Sequence, residues 1–505
     1  MFRKVLIANR GEIALRIIRT CKRLGVRTVA VYSDPDIELK HVLEADEAYN
    51  IGPGEPSQSY LNIPNIVGVA KKAGVEGVHP GYGFLAENPQ LARSCEESGL
   101  VFIGPPSKIL GHVANKLESK KVVSDAGIPV IPGSQKEVQD TADTEAEARR
   151  IGFPVLVKAV FGGGGRGMRI VRNPAELGAA LERASTEAKT GFGRSELYIE
   201  KYLDKPRHIE VQVLAGKRRK MIHLGERECS LQRRYQKILE ETPSPVLTEN
   251  DRKRLVKLAL KVAEVTRYEN VGTMEFIRSG DGKFYFMETN KRIQVEHLIS
   301  EMVTDVDIVE EQLRIASGDG LNLSQNEIEF SGAAINCRIN AEDPARGFAP
   351  TPGRVARFVP AGGPGVRVDT ALFNGCPVPE YYDSLIAKVA CQGRTRQDAI
   401  QRMRVALAEM IVEGLQTTTP VHQMLMANRQ FVRGDYHTQL LDHLLADWQV
   451  PAIVTAVEVA AIYLALKDQM GSTSLGTPRN VAQSSWRSGL EAPYNRRTAL
   501  YVEGL

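Results

Sequence analysis

Several features that would identify a function are missing from this sequence. Its six cysteines, at positions 21, 95, 229, 337, 376 and 391, form no C-x-x-C pair, which disfavours both a disulfide scaffold and a zinc site. No run approaches the roughly 18–20 apolar residues of a membrane span, and the apolar run after Met1 is too short for a signal peptide. The densest basic run, Lys217–Lys220, is too short to indicate nucleic acid. These absences predict a soluble, cytoplasmic protein that binds neither membrane nor nucleic acid.

The dinucleotide signature G-x-G-x-x-G is also missing, although the N-terminus begins like a nucleotide-binding fold. The strand-like runs Val5–Ala8 and Val26–Tyr32 flank an amphipathic helix, a pattern that predicts a Rossmann-like α/β domain with a parallel, doubly wound sheet. Dinucleotide binding is disfavoured. The loop His79–Asn88 follows a strand end, where such sheets hold ligands, although Gly81 and Gly83 could serve only a turn.

Four consecutive glycines, Gly162–Gly165, follow the strand-like run Phe153–Ala159. Such a run costs backbone entropy, and it lets backbone amides approach an anion closely. No Lys-Ser/Thr pair follows, which excludes a Walker loop. We therefore expect a flexible hairpin lid over phosphates with Lys158 at its base, and a plain surface hairpin is the alternative. The polar run Gln232–Lys237, taken alone, predicts a solvated loop.

The stretch around Met287–His297 is the strongest candidate for a catalytic site. A Gly-containing turn at 279–282 predicts a hairpin in which Arg278 faces Lys283 and Glu275 faces Phe286. Glu288 would share the face of Phe286, diagonal to Glu275 at roughly 7–8 Å. Two carboxylates at that separation would repel each other unless they share a cation, and an adjacent Asn makes Mg²⁺ suitable. The alternative is an ordinary solvated strand face.

The same alternation predicts which downstream side chains join the two glutamates. Residues 290, 292, 294 and 296 keep the parity of Glu288, whereas Met287, Ile293 and Val295 fall on the other side. The first set carries amide, guanidinium, amide and carboxylate groups, which is typical of an active-site wall.

The C-terminal part of the 505 residues combines further strands and helices. Gly332–Asn340 alternates apolar with polar residues, Asp305–Ala316 predicts a helix, and Arg396–Val412 predicts a long amphipathic helix. Residues 331–447 are therefore expected to form an α+β domain. The Ser-, Asn- and Arg-rich end, Gly471–Leu505, predicts a flexible arm.

Several long motifs, in this order, resemble those of biotin carboxylases, members of the ATP-grasp superfamily. They are Ala8–Ala14, His79–Leu85, Lys116, Lys158 with the glycine run, Glu275, Glu288, Arg292–His297 and Tyr381–Ser384. The resemblance covers about residues 1–447. It implies a fold that is α/β and α+β: an N-terminal Rossmann-like domain (1–114), a central ATP-grasp domain (115–330) with a mobile lid at about 132–203, an α+β C-terminal domain (331–447) and a tail (448–505).

The resemblance also implies the reaction. ATP phosphorylates bicarbonate to carboxyphosphate, which delivers CO₂ to N1′ of biotin. The residues implied to hold ATP are Lys116, Lys158, Gly163, Gly164, Gly165, Glu200, Lys201, Leu203, His208, Gln232, Tyr235, Glu275 and Glu288. Those implied to hold Mg²⁺, or Mn²⁺, are Glu275, Glu288 and Asn290.

The remaining implied residues handle bicarbonate and biotin. Lys237, Arg292, Gln294 and Val295 are implied to place bicarbonate; Glu296 is the implied general base, Arg338 steadies the biotin enolate, and Tyr82 and Gly83 match positions that touch biotin. The sequence departs from the family at Tyr235, Lys291 and Leu298, where His, Thr and Pro are usual, and at Val160–Phe161, where small residues are commoner. We expect altered nucleotide affinity with activity retained.

The resemblance implies partners as well. Because the Met-Lys-Met biotinylation motif is absent, biotin is expected on a separate biotin carboxyl carrier protein, beside a carboxyltransferase subunit, with this chain as a stand-alone homodimer. Two alternatives remain: another ATP-grasp ligase, and a regulatory subunit that binds ATP with little turnover. The carboxyl acceptor, such as acetyl-CoA, propionyl-CoA or pyruvate, would be chosen by the partner.

Overall fold

The computed structural model describes residues 1–112, 116–134, 136–138, 141–160, 168–192, 194–217, 220–446 and 448. The glycines of the predicted lid, Gly163–Gly165, and the tail beyond residue 448 lie outside the described residues. Predictions made for those segments, including a flexible arm, stay predictions.

A parallel sheet forms at the N-terminus because short apolar strands alternate with helices that cover both of its faces. In chain order its elements are β1 (Lys4–Ile7), α1 (Gly11–Arg23), β2 (Arg27–Tyr32), α2 (Lys40–Glu44), β3 (Glu47–Asn50), α3 (Ile63–Lys72), β4 (Gly77–His79), α4 (Pro89–Glu97), β5 (Val101–Phe102) and α5 (Ser107–His112). The strand order is β3-β2-β1-β4-β5 with every pairing parallel. The predicted Rossmann-like sheet is confirmed.

A small three-stranded sheet, in the order β7-β6-β8, follows with its own apolar core. Its elements, after α6 (Lys116–Asp125), are α7 (Thr141–Ile151), β6 (Val155–Ala159), β7 (Arg169–Val171), α8 (Leu177–Phe192) and β8 (Leu197–Lys201). Val155, Val157 and Ile199 are fully buried in that core. The separate core makes this the structural counterpart of the predicted lid region.

One eight-stranded antiparallel sheet then carries most of the remaining chain, in the order β13-β12-β9-β10-β11-β14-β21-β19. The strands of this sheet that come first in the chain, with the helices between and after them, are β9 (Arg207–Ala215), β10 (Met221–Arg233), β11 (Gln236–Thr242), α9 (Glu249–Val265), β12 (Asn270–Arg278), β13 (Phe284–Asn290), α10 (His297–Thr304) and α11 (Ile308–Ser317). The sheet is therefore continuous across the predicted boundary at 330/331.

The second part comprises β14 (Ala333–Asn340), β15 (Glu342–Asp343), β16 (Ala349–Pro350), β17 (Gly353–Arg354), β18 (Arg357–Val359), β19 (Val366–Thr370), β20 (Pro377–Val378), β21 (Leu385–Gly393), α12 (Arg396–Glu409), β22 (Ile411–Glu413), α13 (Thr419–Ala427), α14 (Arg429–Arg433) and α15 (Leu440–Ala446). Ile335, Cys337 and Ile339 point into one buried core, as their alternation in β14 predicts. This mixture of strands and helices confirms the predicted α+β part.

Two predicted helices have different bounds. The helix predicted over Asp305–Ala316 is present as α11 but begins at Ile308, because Asp305 adopts a left-handed conformation, φ +57°, and ends α10. The predicted helix Arg396–Val412 ends at Glu409, and Ile411 starts the short strand β22 instead.

Candidate active site

The hairpin of β12 and β13 aligns the two glutamates differently from the prediction. Arg278 pairs with Phe284, and the register shifts between Phe276 and Glu275, so that Glu275 pairs directly with Glu288. The predicted pairings of Arg278 with Lys283 and of Glu275 with Phe286 are wrong. Met287 is the extra residue of this bulge, and such an insertion reverses the alternation that follows it.

The bulge brings the two carboxylates onto one face. Phe286 packs in the core beneath the sheet, so the predicted shared face of Glu288 and Phe286 is also wrong. Glu288 lies beside Glu275 on the opposite face, because residues paired directly across strands share a face at Cβ separations of about 5 Å. The glutamates are therefore closer together than the predicted diagonal.

Lys237 stands at the centre of the polar face of the sheet. Its Nζ donates three hydrogen bonds, to Glu210 Oε2 at 2.5 Å, Glu275 Oε1 at 2.7 Å and Glu296 Oε1 at 2.8 Å. The Lys237 side chain is 11% exposed, and the three carboxylates are between 0% and 4% exposed. We call Glu210, Lys237, Glu275 and Glu296 the central cluster.

Arg338 on β14 approaches Glu296 from the other side. Its Nη2 donates to Glu296 Oε2 at 2.9 Å, and its Nε donates to Glu240 Oε1 at 2.6 Å. Asn336 donates to the second oxygen of Glu240 at 2.7 Å. Both oxygens of Glu296 are thus held by cations, which fixes the orientation of the carboxylate.

The segment after β13 is irregular and extended. The predicted continuation of the strand to Glu296 is wrong, because β13 ends at Asn290 and α10 begins at His297. The predicted polar side chains nevertheless converge: Asn290 Nδ2 and Gln294 Nε2 donate to Glu275 Oε1 at 2.8 and 3.2 Å. Arg292 Nη1 donates to Gln294 Oε1 at 3.0 Å. Two amides and a guanidinium therefore line one edge of the central cluster.

The run Gln232–Lys237 is the tip of the β10–β11 hairpin. Residues 234–236 are exposed, as a solvated loop predicts, but Gln232 is buried and the ends of the run are paired strands. Arg234 and Tyr235 form its two-residue turn, both with positive φ, +47° and +66°. Tyr235 is 45% exposed. A turn that demands positive φ normally carries Gly or Asn, so two bulky residues here carry backbone strain of the kind found at functional sites.

A second pair of side chains connects this hairpin to the cluster. Gln232 Nε2 donates to the Cys229 carbonyl at 2.9 Å and lies 2.7 Å from His208 Nδ1. His208 Nε2 lies 2.9 Å from Glu275 Oε2. Because Gln232 Nε2 is a donor, His208 Nδ1 accepts and Nε2 carries the proton toward Glu275.

The predicted nucleotide residues of the small sheet are placed around Glu200. Lys158 Nζ donates to Glu200 Oε2 at 3.0 Å, and Lys120 pairs with the other oxygen. Lys201 turns away, since its Nζ donates to the carbonyls of Gly152 and Phe153 at 2.8 and 3.0 Å.

Two other predicted nucleotide residues, Leu203 and Lys116, follow and precede the small sheet in the chain. Leu203 is half-buried beyond the end of β8. The side chain of Lys116 lies outside the described residues, although its backbone begins α6.

Of the predicted biotin residues, Arg338 lies on β14, whereas Tyr82 and Gly83 lie in the loop that follows β4 of the N-terminal parallel sheet. Tyr82 donates its hydroxyl proton to Glu12, and Gly83, at φ +66°, has open space where a side chain would stand. Val295 contributes its carbonyl oxygen, which accepts from Lys388 Nζ at 3.1 Å. Lys388 also lies 3.1 Å from Glu12, so Tyr82 is connected through Glu12 and Lys388 to Val295, the residue before Glu296.

The charges of the cluster set its protonation. Burial alone would raise the pKa of Glu296, but Lys237 and Arg338 hold that pKa well below its ordinary value. Burial likewise opposes the ionised Glu275, yet Lys237 keeps its pKa well below the usual range. The neighbouring carboxylates overcome burial and raise the pKa of Lys237 well above its ordinary value. Glu296 is therefore ionised, which is the form that a proton acceptor must have, and the same two cations make it a weaker base than a free carboxylate.

The residues present fit a divalent metal. Glu275 and Glu288 offer hard carboxylate oxygens on one face. Asn290, whose Nδ2 donates to Glu275, carries an amide oxygen that accepts from Arg292 Nη2 at 3.3 Å and could serve a metal instead. This donor set suits Mg²⁺ or Mn²⁺, which take oxygen ligands from a few carboxylates and complete the shell with substrate phosphates. His208, Glu210 and Glu275 also have ligand atoms within 4.8 Å of one another, but Lys237 occupies the centre of that group.

Sequence reasoning missed several members of the site, above all Glu210, Arg227 and Glu240. Arg227 is fully buried and donates to Glu210 Oε1 at 2.6 Å and to Gln212 Oε1 at 2.7 Å. A usable signal was present: positions 208, 210 and 212 alternate polar residues along a strand that is buried throughout. Polar groups at every second position of a buried strand indicate a hydrogen-bonded interior site.

Other features lie apart from this site. In the described part of the chain, none of the helices has both the length and the apolar character needed to cross a bilayer. All six cysteines are buried free thiols. A surface cavity lined by Asp34, Glu38, Arg354 and Tyr381, among others, shares no lining residue with the central cluster.

Comparison with known families identifies three successive matches. Residues 1–110 match the biotin carboxylase N-terminal domain, residues 115–324 the ATP-binding domain of the carbamoyl-phosphate synthase L chain, and residues 336–443 the biotin carboxylase C-terminal domain. Biotin carboxylase 1 of Bacillus subtilis is 48% identical over 443 residues, 88% of this chain and 98% of that protein. The small subunit of 2-oxoglutarate carboxylase from Hydrogenobacter thermophilus is 49% identical over 442 residues, 88% and 93% of the two chains.

Solved structures agree. The biotin carboxylase domain dimer of Hydrogenobacter thermophilus 2-oxoglutarate carboxylase, in complex with MgADP, ADP and bicarbonate, superimposes with a TM-score of 0.86 at 48% identity, covering 89% of this chain and 99% of that one. A Campylobacter jejuni biotin carboxylase gives a TM-score of 0.86 at 42% identity, over 88% and 99%. By fold and sequence, the chain belongs to the biotin carboxylase family.

Proposed function

We propose that this chain carboxylates biotin with bicarbonate at the expense of ATP, through carboxyphosphate, releasing ADP and phosphate. The observation that carries the proposal is the position of Glu296, held by Lys237 Nζ at 2.8 Å and by Arg338 Nη2 at 2.9 Å. An ionised carboxylate fixed between two cations is a proton acceptor placed where an anionic substrate would also be attracted.

Bicarbonate is a poor nucleophile while it retains its proton. Arg292 and Gln294 line the edge of the central cluster and would orient the anion, with Lys237 balancing its charge. Glu296 would accept the bicarbonate proton, and the resulting dianion would attack the γ-phosphorus of ATP. The retained charges of Lys237 and Arg292 would favour the ionised form of the substrate.

Phosphoryl transfer requires positioning and charge neutralisation more than covalent chemistry from the protein. Glu275, Glu288 and Asn290 would hold the divalent ion, which supplies charge neutralisation to the ATP phosphates when bound. Lys158, 3.0 Å from Glu200 in this structure, would exchange that partner for phosphate oxygens. The glycine run would close over the nucleotide and keep water from carboxyphosphate.

Biotin would enter on the side of Arg338 and Tyr82. When carboxyphosphate breaks down to CO₂ and phosphate, the phosphate would take the N1′ proton. Arg338 would stabilise the negative charge that this leaves on the biotin ureido oxygen until N1′ attacks CO₂. Its side chain is only 17% exposed, and Glu240 holds its Nε at 2.6 Å, which fixes the donors in advance of the reaction.

The partners follow from the same proposal. Biotin would arrive on a biotin carboxyl carrier protein, and a carboxyltransferase subunit would pass the carboxyl group to the final acceptor. A homodimer is supported by the dimeric Hydrogenobacter thermophilus relative. The cytoplasmic location predicted from the sequence, and the domain boundaries at 114, 330 and 447, stay predictions.

The proposal is tested by coupled measurement of ADP release from the purified chain. We expect ADP release that requires bicarbonate and Mg²⁺ and rises severalfold when free biotin is added. ADP release that is independent of bicarbonate would contradict the proposal. ATP binding without any stimulation by bicarbonate or biotin would instead favour a regulatory subunit.

A further inference from the structure

Lys388 on β21 is a fully buried lysine directly opposite Arg338. The register pairs Lys388 with Arg338 on β14 and with Asp369 on β19, so all three side chains share one face of the sheet. The Lys388 side chain is 0% exposed. Two cations placed directly across neighbouring strands repel each other, so each needs its own anionic or carbonyl partners.

One partner of each cation comes from the same short segment, at two consecutive residues. Arg338 Nη2 donates to Glu296 Oε2 at 2.9 Å, and Lys388 Nζ donates to the Val295 carbonyl at 3.1 Å. The pair of cations therefore holds both the side chain of Glu296 and the backbone just before it. A carboxylate whose backbone is also anchored has less freedom to turn away from its substrate.

Lys388 reaches the biotin side of the site as well. Its Nζ lies 3.1 Å from Glu12 Oε2, and the other oxygen of Glu12 accepts the hydroxyl proton of Tyr82. The same ammonium lies 5.8 Å from the centre of the Tyr82 ring. One buried ammonium thus contacts the segment proposed to place bicarbonate and, through one carboxylate, the loop proposed to place biotin.

We propose that Lys388 is a positioning residue that fixes the spacing between the bicarbonate segment 291–296 and the biotin loop 79–88. Its ammonium holds the Val295 carbonyl on one side and, through Glu12, the Tyr82 hydroxyl on the other. The naming of the two substrates rests on the proposed function, whereas the link at Val295 is a contact of Lys388 whatever the substrates are. A second link joins the same segments at their other end, where Glu87 accepts from the Lys291 amide at 2.6 Å and lies 3.7 Å from Arg292. Transfer of CO₂ between two substrates depends on their separation, and a displacement of about 1 Å can cost on the order of a hundredfold in rate.

The charged groups around Lys388 argue that it is there to position these segments and not merely to stabilise the fold, because burying a charge costs free energy. Burial raises the pKa of Glu12 to about 7, although Lys388 lowers it. Asp369 stands 3.9 Å from Lys388 and is paired with Arg367 at 2.8 Å. A lysine in such surroundings is costly to bury, and an apolar residue of similar length would pack there without that cost.

Lys388→Met tests the link by removing the ammonium while keeping an unbranched side chain. We expect the KM for bicarbonate and the KM for free biotin each to rise at least about fivefold, with the KM for ATP within twofold of wild type. Glu12→Gln is expected to raise only the KM for biotin, because the contact of Lys388 with Val295 persists. Arg396→Met is the matched control: Arg396 pairs with Glu241 and donates to the carbonyls of Phe431 and Val432, and it touches neither segment.

Backbone amide exchange supplies a readout that does not depend on turnover. In Lys388→Met, the amides of residues 81–85 and 291–296 are expected to exchange severalfold faster, while those of β12 are unchanged. Arg396→Met is expected to resemble wild type in all three segments. Should Lys388→Met fold poorly, the double variant Glu12→Gln/Lys388→Met removes both buried charges and is expected to show the same pattern.

The outcomes separate the two proposals. Lys388→Met with KM values and exchange rates equal to those of Arg396→Met would overturn the positioning role. A wild-type chain without bicarbonate-dependent turnover would overturn the proposed function, and the exchange comparison would still decide whether Lys388 couples the two segments.

Discussion

Glu275 stands directly opposite Glu288 on the neighbouring strand, because Met287 is accommodated as a bulge between them. The two carboxylates therefore share a face of the sheet at close range. Since like charges directly across strands destabilise a sheet, a cation between them would relieve the repulsion. This relationship underlies the proposed metal site.

Glu288→Gln is expected to raise the Mg²⁺ concentration for half-maximal ADP release by about tenfold or more, because one charged ligand is lost. Glu288 is preferred to Glu275 for this test, since Glu275 also accepts from Lys237 at 2.7 Å. Glu249→Gln, which changes a carboxylate that is 65% exposed on α9, serves as the control. An unchanged Mg²⁺ requirement in Glu288→Gln would remove this residue from the metal site.

Lys237→Met is expected to lower the free energy of unfolding by about 3–5 kcal/mol, because three buried carboxylates lose their shared cation. Lys253→Met, at a lysine that is 72% exposed, should change it by less than about 0.5 kcal/mol. Urea denaturation of the two variants measures the difference. Equal stabilities would show that the cluster needs no cation.

Tyr235→Gly is expected to stabilise the protein and weaken nucleotide binding at once. Glycine removes the strain of a side chain at φ +66°, for a gain of about 0.5–1 kcal/mol. The KM for ATP should rise, because the aromatic ring predicted to contact the nucleotide is lost. Arg234→Gly, at φ +47° in the same turn, should give the stability gain with an unchanged KM. A KM for ATP that Tyr235→Gly leaves unaltered would place Tyr235 outside the nucleotide site.

The stability of the fold should depend on pH through His41. Burial lowers the pKa of His41 from its ordinary 6.5 to about 4. Between those values the unfolded chain binds a proton that the folded chain does not, so this contribution to stability is lost as the pH falls.

From about pH 7.5 to pH 5.0 the loss amounts to about 2 kcal/mol. His41→Gln lacks this titration, so the stability gap between wild type and variant should shift by about that amount between the two conditions, measured by urea denaturation. A gap that is the same at both pH values would show that His41 titrates normally in the folded state.

Local patterns predicted the elements well, and long-range contacts explain what they missed. The alternation of Ile335, Cys337 and Ile339 is a property of one strand, and it placed them correctly in a core. The register of β12 and β13 depends on two features: a loop of residues 279–283, one residue longer than predicted, and the bulge at Met287, for which the local sequence gives no signal. The irregular path of residues 291–296 was not predicted either. The prediction extended the strand alternation to Glu296, whereas β13 ends at Asn290.

The central cluster illustrates the same limit. Lys237 meets Glu210, Glu275 and Glu296 across sequence separations of 27, 38 and 59 residues. A polar run such as Gln232–Lys237 looks solvated until its neighbours in space are known. Only the resemblance to a family predicted that Lys237 belongs to the site, and Glu210 was not predicted at all.

Glu296 is the residue on which the proposed chemistry depends most directly. Labelled bicarbonate supplied with ATP, Mg²⁺ and free biotin should give labelled carboxybiotin with the wild-type chain. Glu296→Gln, which keeps the shape of the side chain and removes its basicity, should lose at least about a hundredfold in rate while binding ATP within twofold of wild type. Carboxybiotin formed at the wild-type rate by Glu296→Gln, or no ATP-dependent carboxybiotin from the wild-type chain, would contradict the proposed reaction.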